Sequence, residues 1–224
     1  MWSERAHFLD RHDAGQRLAA ELKARAIPDP IVLALPRGGV PVGYEVAQAL
    51  NAPLDVLLVR KLGAPGHEEF GIGAVVDGAQ PQLVLNEDAI RMLHVPPAYV
   101  AQERDRQLAE VERRRRLYCG TSAAIDIEGR SAIIVDDGIA TGGTVLAALR
   151  ATRRASPSRI IVAVPVAPPE TLTNLRLEAD DVVCLSAPAE FRAVGMHYAD
   201  FTQTSDEEVI ELLARQRAET RVHS

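Results

Sequence analysis

The 224-residue sequence is poor in aromatic residues, which make up 4% of it, and contains only two cysteines. Cys119 and Cys184 are too few for a disulfide framework and lack metal-ligand spacing, so we expect two buried or half-buried thiols. No apolar run reaches the roughly 18 residues that a membrane-spanning helix needs. The sequence therefore gives no reason to expect a disulfide scaffold or a membrane protein.

Positive charge is also in short supply, with 25 Lys and Arg against 31 Asp and Glu and a net charge of -6. This balance disfavours general nucleic-acid binding. The first residues, Met1 to Phe8, carry charge and no long apolar core, so they do not resemble a secretory signal and the cytoplasm is the expected compartment. We find neither an internal repeat nor a low-complexity linker.

The most informative stretch runs from Ser131 to Val145. Residues 132–135 are apolar and mostly β-branched, as in a parallel strand that is buried on both faces. Asp136 and Asp137 follow at the carboxyl end of this strand, where open α/β sheets place their ligands. Glycines then lead into an apolar helical pattern, so the predicted order is strand, acidic pair, glycine-rich turn and helix.

The charges of this motif suggest a particular ligand. The unpaired N–H groups of the turn and the hydroxyls of Thr141 and Thr144 would form an anion pocket suited to phosphate. Asp136 and Asp137 would repel phosphate and instead suit neutral hydroxyls or a cation, and ribose 5-phosphate combines a phosphate with a vicinal diol. The alternative is an Asp-Gly turn with a threonine that caps the helix.

A second glycine loop follows the predicted strand at residues 31–35. It contains Arg37, Gly38 and Gly39, whose guanidinium and backbone N–H groups would suit a diphosphate. The alternative is a tight strand-to-helix turn with a surface arginine. The next predicted strand, residues 54–59, would place Arg60 and Lys61 at its carboxyl end, on the same edge as both glycine loops.

The stretch from Val135 to Thr144 resembles the 5-phosphoribosyl 1-diphosphate (PRPP) signature of type I phosphoribosyltransferases. Together with the alternation of strands and helices, this resemblance implies an α/β fold with a parallel sheet of about five strands and helices on both faces. We expect a single domain over residues 1–224, with an inserted lid and helical segment at about 62–120 and a hood at about 186–204.

The resemblance also implies roles for individual residues. Asp136 and Asp137 would hold the ribose hydroxyls, and the 5-phosphate would lie on Ala140, Thr141, Gly142, Gly143 and Thr144. The loop with Arg37, Gly38 and Gly39 resembles the family's pyrophosphate loop, in which the peptide before the position of Arg37 is often cis. Arg60 and Lys61 would bind the diphosphate leaving group, and residues 63–73, with Glu68 and Glu69, would form a mobile catalytic loop.

The predicted hood contains an aromatic cluster. By resemblance, Phe191 would stack on the acceptor base, and Asp200 would join Asp136 and Asp137 in binding Mg²⁺ directly or through water. The alternative for this cluster is an aromatic anchor that packs on the sheet.

Two departures from the family bear on the acceptor. The 6-oxopurine enzymes have an acid at the position of Ala140 and a lysine where this chain has Pro165 to Ala167, which argues against hypoxanthine or guanine. We therefore expect Mg²⁺-dependent phosphoribosyl transfer from PRPP to a nitrogenous base in nucleotide metabolism, with the protein as a possible homodimer. Without an acid at position 140, either Glu68 or Glu69 would act as the base or the reaction would need no protein base. A non-catalytic PRPP-binding regulator and a hydrolase of phosphoribosyl compounds remain the alternatives.

Four further elements are predicted from periodicity and capping. They are a first helix from Asp10 or Asp13 to about Arg25, a hairpin that joins residues 74–76 to 82–85, a charged helix over residues 97–118, and a final helix from Ser205 to about Arg215. The charged helix, with Arg113 to Arg116, is predicted to be a solvated surface helix. The functional alternative is a patch that binds nucleic acid.

Overall fold

The computed structural model describes residues 7–78 and 81–222, without the side chains of residues 68, 69, 221 and 222. The strands are β1 (Pro30–Ala34), β2 (Leu54–Val56), β3 (Val59–Ala64), β4 (His67–Val76), β5 (Gln82–Leu85), β6 (Ser131–Val135), β7 (Arg159–Val166) and β8 (Asp181–Ser186). The α-helices are α1 (Arg11–Lys23), α2 (Gly39–Leu50), α3 (Glu87–Met92), α4 (Pro97–Cys119), α5 (Gly143–Arg154), α6 (Pro169–Leu175) and α7 (Asp206–Val222), and a short 3₁₀ helix covers Val194–His197.

Five strands form a parallel sheet in the order β2-β1-β6-β7-β8. Strands β1 and β6 are neighbours, with Pro30 opposite Ser131 and Ala34 opposite Val135. Their carboxyl ends therefore lie side by side at one edge of the sheet. The predicted α/β fold with five parallel strands is confirmed.

Helices cover both faces of this sheet because the side chains of each strand alternate between the two faces. In β1, Val32 packs into a core shared with α1, α2 and α7, whereas Ile31 packs into a core shared with α5 and α6. Both residues are fully buried, as are their neighbours Ile133 and Ile134 in β6. Burial on both faces accounts for the continuous apolar runs of these strands.

A second, antiparallel sheet consists of β3, β4 and β5, so the prediction of one strand over residues 54–59 was wrong. Strand β2 ends at Val56, and the chain leaves the parallel sheet at Leu57 and Leu58. Asp77 fixes the position of Leu58 between the two sheets. Its carboxylate accepts a hydrogen bond from the N–H of Leu58, and its own N–H donates to the Leu58 carbonyl at 3.0 Å.

Residues 63–73, predicted to be a mobile loop with glycine hinges, lie in the hairpin of β3 and β4. The hairpin turns at Gly66, which has a φ of +71°, and Gly63 pairs with Gly71. The predicted hairpin between residues 74–76 and 82–85 is confirmed as the pairing of β4 with β5. Glycine at position 73 allows the close pairing of β4 with β5, because a Cβ on Gly73 would lie 2.5 Å from the carbonyl oxygen of Val84.

The charged helix is confirmed as α4, and Glu110 forms the expected intrahelical ion pairs with Arg113 and Arg114. Arg115 contradicts the prediction of a solvated arginine run. Its guanidinium lies 2.6 Å from Oδ2 of Asp55 and 2.9 Å from Oδ2 of Asp77. Arg115 therefore ties α4 to the end of β2 and to the turn after β4.

The pKa values of Asp77 and Arg115 in this group of ion pairs are shifted. Burial raises the pKa of Asp77 to about 6, although Arg115 and the N–H of Leu58 both favour the carboxylate. Burial disfavours the charged form of Arg115, but the carboxylates of Asp55 and Asp77 outweigh it and raise the pKa of Arg115.

The remaining predictions are mostly confirmed. Helix α1 begins after Asp10, whose carboxylate caps it by accepting from the N–H of Asp13 at 2.8 Å. Helix α7 begins after Ser205 as predicted, but it extends beyond Arg215 to Val222. Cys119 is a buried thiol and Cys184 a half-buried one. In the described parts of the chain, no helix has both the length and the apolar character needed to cross a membrane.

Candidate active site

The two glycine loops meet where β1 and β6 end. The N–H of Leu35 donates to the carbonyl of Val135 at 2.9 Å, which continues the pairing of the strands up to the loops. A Cβ on Gly39 would lie 2.7 Å from that same carbonyl oxygen and 3.0 Å from Cα of Asp136. The predicted convergence of both loops on one edge of the sheet is thus confirmed.

The loop after β1 lies directly against the acidic pair. The peptide bond between Pro36 and Arg37 is cis, as the resemblance implied. A Cβ on Gly38 would lie only 2.0 Å from Oδ2 of Asp137, a distance that no side chain could occupy. Glycine at this position lets the loop backbone approach the carboxylate.

Asp136 and Asp137 interact closely with each other. The N–H of Asp137 donates to Oδ1 of Asp136 at 2.9 Å. Burial, together with the neighbouring charge of Asp137, raises the pKa of Asp136 well above its ordinary value. A ligand that brings hydroxyl donors or a cation to the pair would relieve this repulsion.

Two contacts to Asp137 come from residues to which we assigned no role from the sequence. Nε of Arg11 lies 2.7 Å from Oδ2 of Asp137, and the two side chains are only 11% and 14% exposed. The hydroxyl of Tyr198 donates to the backbone carbonyl of Asp137. Burial and the charge of Asp137 raise the pKa of Tyr198, so the phenol stays protonated and can act as this donor. Tyr198 lies in the aromatic cluster seen in the sequence, whereas no motif marks Arg11.

The loop after the acidic pair leads into the first turn of α5. Gly142 precedes the helix with a φ of +77°, and no side chain caps the helix within the described structure. The hydroxyl of Thr171 donates to the carbonyl of Ala140 at 2.7 Å and so supports the loop from α6. A Cβ on Gly143 would meet nothing within 4 Å. Space is therefore open beside Gly143 at the start of α5, where the first-turn N–H groups have no partners within the helix.

The predicted hood packs onto this loop. A Cβ on Gly138 would lie 2.4 Å from Cγ1 of Val194, which belongs to the 3₁₀ helix. The ring of Phe191 is half-buried and stacks on His197, with 5.5 Å between centroids and an interplanar angle of 16°. One face of Phe191 therefore already contacts an aromatic ring.

Three carboxylates were predicted to bind Mg²⁺, and the structure brings two of them together. Asp136 and Asp137 are adjacent, but Oδ1 of Asp200 accepts hydrogen bonds from the N–H and the hydroxyl of Thr202. These bonds lower the pKa of Asp200. Over residues 7–78 and 81–222, no group of three or more His, Cys, Asp or Glu side chains is arranged to hold a metal ion. Two carboxylates still suit Mg²⁺, which usually completes its shell with substrate oxygens and water.

The predicted cations Arg37 and Arg60 contact different helices. The Arg37 guanidinium is 3.7 Å from Oδ1 of Asp206, at the start of α7. Arg60 and Lys61 are inside β3 and not at the end of a parallel strand, which corrects their predicted position. Nε of Arg60 donates to Gln107 of α4 at 3.0 Å, and Lys61 is exposed. The side chains of Glu68 and Glu69 lie outside the described residues.

Comparisons with known proteins agree with this geometry. The profile of the family described as the phosphoribosyl transferase domain matches residues 7–200. A Mycobacterium tuberculosis (strain H37Rv) protein named as a candidate phosphoribosyl transferase is 46% identical over 211 residues, which cover 93% of this chain and 46% of that protein. The crystal structure of TT1426 from Thermus thermophilus has 43% sequence identity and a TM-score of 0.80, covering 94% of this chain and 99% of that one. The chain spans about half the length of the mycobacterial relative.

Proposed function

Since the chain belongs to the phosphoribosyl transferase domain family, we propose that it transfers the phosphoribosyl group of PRPP to a nitrogenous base and releases diphosphate. The observation that carries this proposal is the packing of Gly38 and Gly39 against Val135, Asp136 and Asp137. It brings a loop suited to diphosphate beside two carboxylates suited to a diol, and the anion loop at the start of α5 follows directly. PRPP has these three groups in the same order.

Each part of the site would hold one part of PRPP. The carboxylates of Asp136 and Asp137 would accept hydrogen bonds from the ribose hydroxyls, which also relieves their mutual repulsion. Residues 140–144 and the first-turn N–H groups of α5 would hold the 5-phosphate. The backbone N–H groups of Gly38 and Gly39, with the Arg37 guanidinium, would hold the diphosphate. Arg37 would have to exchange its long contact with Asp206 for the ligand.

The proposed reaction forms one bond and breaks another at C1 of the ribose. The base nitrogen attacks C1 while the bond from C1 to the diphosphate oxygen breaks, the bonding electrons leave with the diphosphate, and the nitrogen loses its proton. As the bonds to C1 loosen, the sugar becomes oxocarbenium-like and negative charge grows on the leaving group. The protein therefore contributes mainly by orienting the sugar and stabilising that charge.

Magnesium would be held by Asp136 and Asp137 together with oxygens of the substrate, and Asp200 would contribute through water. When bound, it would neutralise charge on the diphosphate. The raised pKa of Asp136 fits this role, because burial and the neighbouring charge of Asp137 disfavour its carboxylate and a bound cation would favour it. Phe191, whose ring stacks on His197, would also stack on the base.

Residues of the β3–β4 hairpin would complete the site. Lys61 is exposed and would need to reach the diphosphate, and Arg60 would have to exchange its bond to Gln107. Glu68 and Glu69 are the proposed bases for the acceptor proton, since Ala140 cannot accept one. In this proposal, residues 1–224 act as one domain, with residues 62–120 as the inserted lid and helical segment and residues 186–204 as the hood.

A screen of acceptors tests the proposal. The protein is incubated with PRPP, Mg²⁺ and one of a panel of purine and pyrimidine bases, and released diphosphate is measured beside a control that lacks a base. Transfer predicts diphosphate and a nucleotide in equal amounts with at least one base and little release without one. Release that does not depend on a base would indicate a hydrolase. Binding of PRPP without release under any condition would indicate the regulator instead.

A further inference from the structure

Arg11 connects three parts of the molecule that have no connection in the sequence. Its Nε lies 2.7 Å from Oδ2 of Asp137, and its terminal Nη1 donates to the carbonyl of Thr202 at 2.7 Å. The guanidinium carbon lies 4.0 Å from the centre of the Phe201 ring. One side chain at the start of α1 thus contacts both the acidic pair and the hood.

The hood is also attached to the chain just before Arg11. The N–H of Ala199 donates to the carbonyl of Phe8 and the N–H of Asp200 donates to the carbonyl of Leu9, both at 2.8 Å. Tyr198, from the same segment, donates its hydroxyl to the backbone carbonyl of Asp137. Asp137 is therefore held through its backbone by Tyr198 and through its side chain by Arg11.

The loop that contains Gly38 also lies close to the Asp137 carboxylate. Gly38 leaves no room for a Cβ, which would lie 2.0 Å from Oδ2 and 3.1 Å from Oδ1 of Asp137. The Oδ2 atom of Asp137 is thus close to both the Arg11 guanidinium and the backbone of the loop after β1. Because Arg11 binds Oδ2, a ligand hydroxyl would reach Asp137 through Oδ1.

We propose that Arg11 is a positioning residue that holds the Asp137 carboxylate between the hood and the Gly38 loop, so that it accepts a ribose hydroxyl. This rests on the proposed function. Arginine suits the task because its planar group can bind a carboxylate, bind a carbonyl and stack on an aromatic ring at once. Lysine would keep the charge but could not make all three contacts.

The test uses isothermal titration calorimetry without added metal ions and with three probes: PRPP, ribose 5-phosphate and inorganic diphosphate. The first two carry the ribose diol and the third does not. Arg11→Gln should weaken binding of PRPP and of ribose 5-phosphate by about tenfold or more, because the charge-assisted contact that orients the Asp137 carboxylate is lost. Its affinity for diphosphate should stay within about twofold, because the Gly38 loop needs no help from Arg11 to bind it.

Arg25→Gln is the matched control. Arg25 is also paired with an aspartate, Asp181, at 2.8 Å. Asp181 is the first residue of β8, so it lies at the amino ends of the parallel strands, whereas the proposed site lies at their carboxyl ends. This variant loses the same positive charge and should bind all three probes as the unaltered protein does. Arg11→Lys should lose less affinity for the two sugar phosphates than Arg11→Gln.

If Arg11→Gln weakened the binding of all three probes equally, the proposal would be overturned, because the effect would then come from the lost positive charge or from misfolding. Unchanged affinity for all three would also overturn it. If Arg11→Gln does not fold, as judged by thermal unfolding, the same ligand selectivity must appear in Arg11→Lys. Failure of the unaltered protein to bind either sugar phosphate would overturn the proposed function itself, whereas failure limited to the variants would concern Arg11 alone.

Discussion

Gly38 and Asp137 come from loops about a hundred residues apart, yet the position that a Cβ on Gly38 would take is 2.0 Å from Oδ2 of Asp137. The contact joins the loop proposed for diphosphate to the carboxylates proposed for ribose. In the proposed reaction, the two groups joined by the bond to be broken would therefore bind side by side.

Gly38→Ala should therefore disrupt both the site and its packing. The added methyl group must displace either the loop or the Asp137 carboxylate, and overpacking of this kind costs about 1 to 3 kcal/mol. We expect a lower thermal unfolding temperature and PRPP binding weakened by about tenfold or more, measured by calorimetry. An alanine variant with unchanged stability and affinity would show that the two loops are not in contact.

Gly143→Ala should separate folding from binding. A Cβ here meets no protein atom within 4 Å, and alanine is favoured over glycine in helices by up to about 1 kcal/mol. The variant should be at least as stable as the unaltered protein in urea denaturation. Its affinity for ribose 5-phosphate should fall, because a methyl group would stand at the proposed phosphate site. Unchanged affinity would place the phosphate elsewhere.

The proposed bases of the hairpin can be tested by isosteric change. Glu68→Gln or Glu69→Gln should lower turnover while PRPP affinity stays within a few-fold, because glutamine keeps the shape but cannot accept the proton. Turnover is measured with the accepted base under conditions in which chemistry limits the rate. If neither variant is slower, these glutamates are not the base, and the assignment of Asp136 and Asp137 is unaffected.

The pKa of Asp77 predicts how stability depends on pH. The folded value of about 6 exceeds the ordinary value of 3.8, so the folded state binds the proton more tightly. The stabilisation from this proton is fully present below the ordinary value and is lost as pH rises through about 6. Between about pH 4 and pH 7, the unaltered protein should lose up to about 3 kcal/mol of unfolding free energy relative to Asp77→Asn.

Urea denaturation at several pH values measures this difference. Arg115, Asp55 and the N–H of Leu58 surround Asp77. The Asp77→Asn substitution removes the ionisable carboxyl of Asp77 and leaves these neighbouring groups in place. Asp105→Asn, which replaces an exposed carboxylate of α4, is measured beside it as the control. A constant difference between Asp77→Asn and the unaltered protein would contradict the raised pKa.

The parallel sheet and both glycine loops could be predicted because their signals are local. Residues 132–135 are apolar and buried on both faces, and the acids and glycines follow them within a few positions. The same locality made Asp10 and Ser205 recognisable as the starts of α1 and α7.

The errors occur where contacts distant in sequence decide the structure. Leu57 and Leu58 continue an apolar strand pattern, and the chain changes sheets there because Asp77, about twenty residues later, binds Leu58. Arg115 looks like one member of a solvated arginine run, but the carboxylates that draw it inward lie on β2 and after β4. The glycines of residues 63–73 indicate a turn, but only the pairing of β3 with β4 shows that these residues form a hairpin.

Arg11 could not be found from the sequence for the same reason. It is 126 positions away from Asp137, and its neighbours indicate only the start of a helix. Only the fold brings α1, the acidic pair and the hood together.

The central claim is that Asp136 and Asp137 bind the ribose of PRPP, and the most direct measurement is calorimetric titration of PRPP with Mg²⁺ into the unaltered protein and into the double variant Asp136→Asn, Asp137→Asn. The substitution keeps the shape of both side chains but removes charge-assisted hydrogen bonds that contribute about 1.5 to 3 kcal/mol each. We predict saturable binding to the unaltered protein and affinity lower by about 100-fold or more in a double variant that remains folded by circular dichroism. Equal affinity in the two proteins, or no PRPP binding to the unaltered one, would contradict the account.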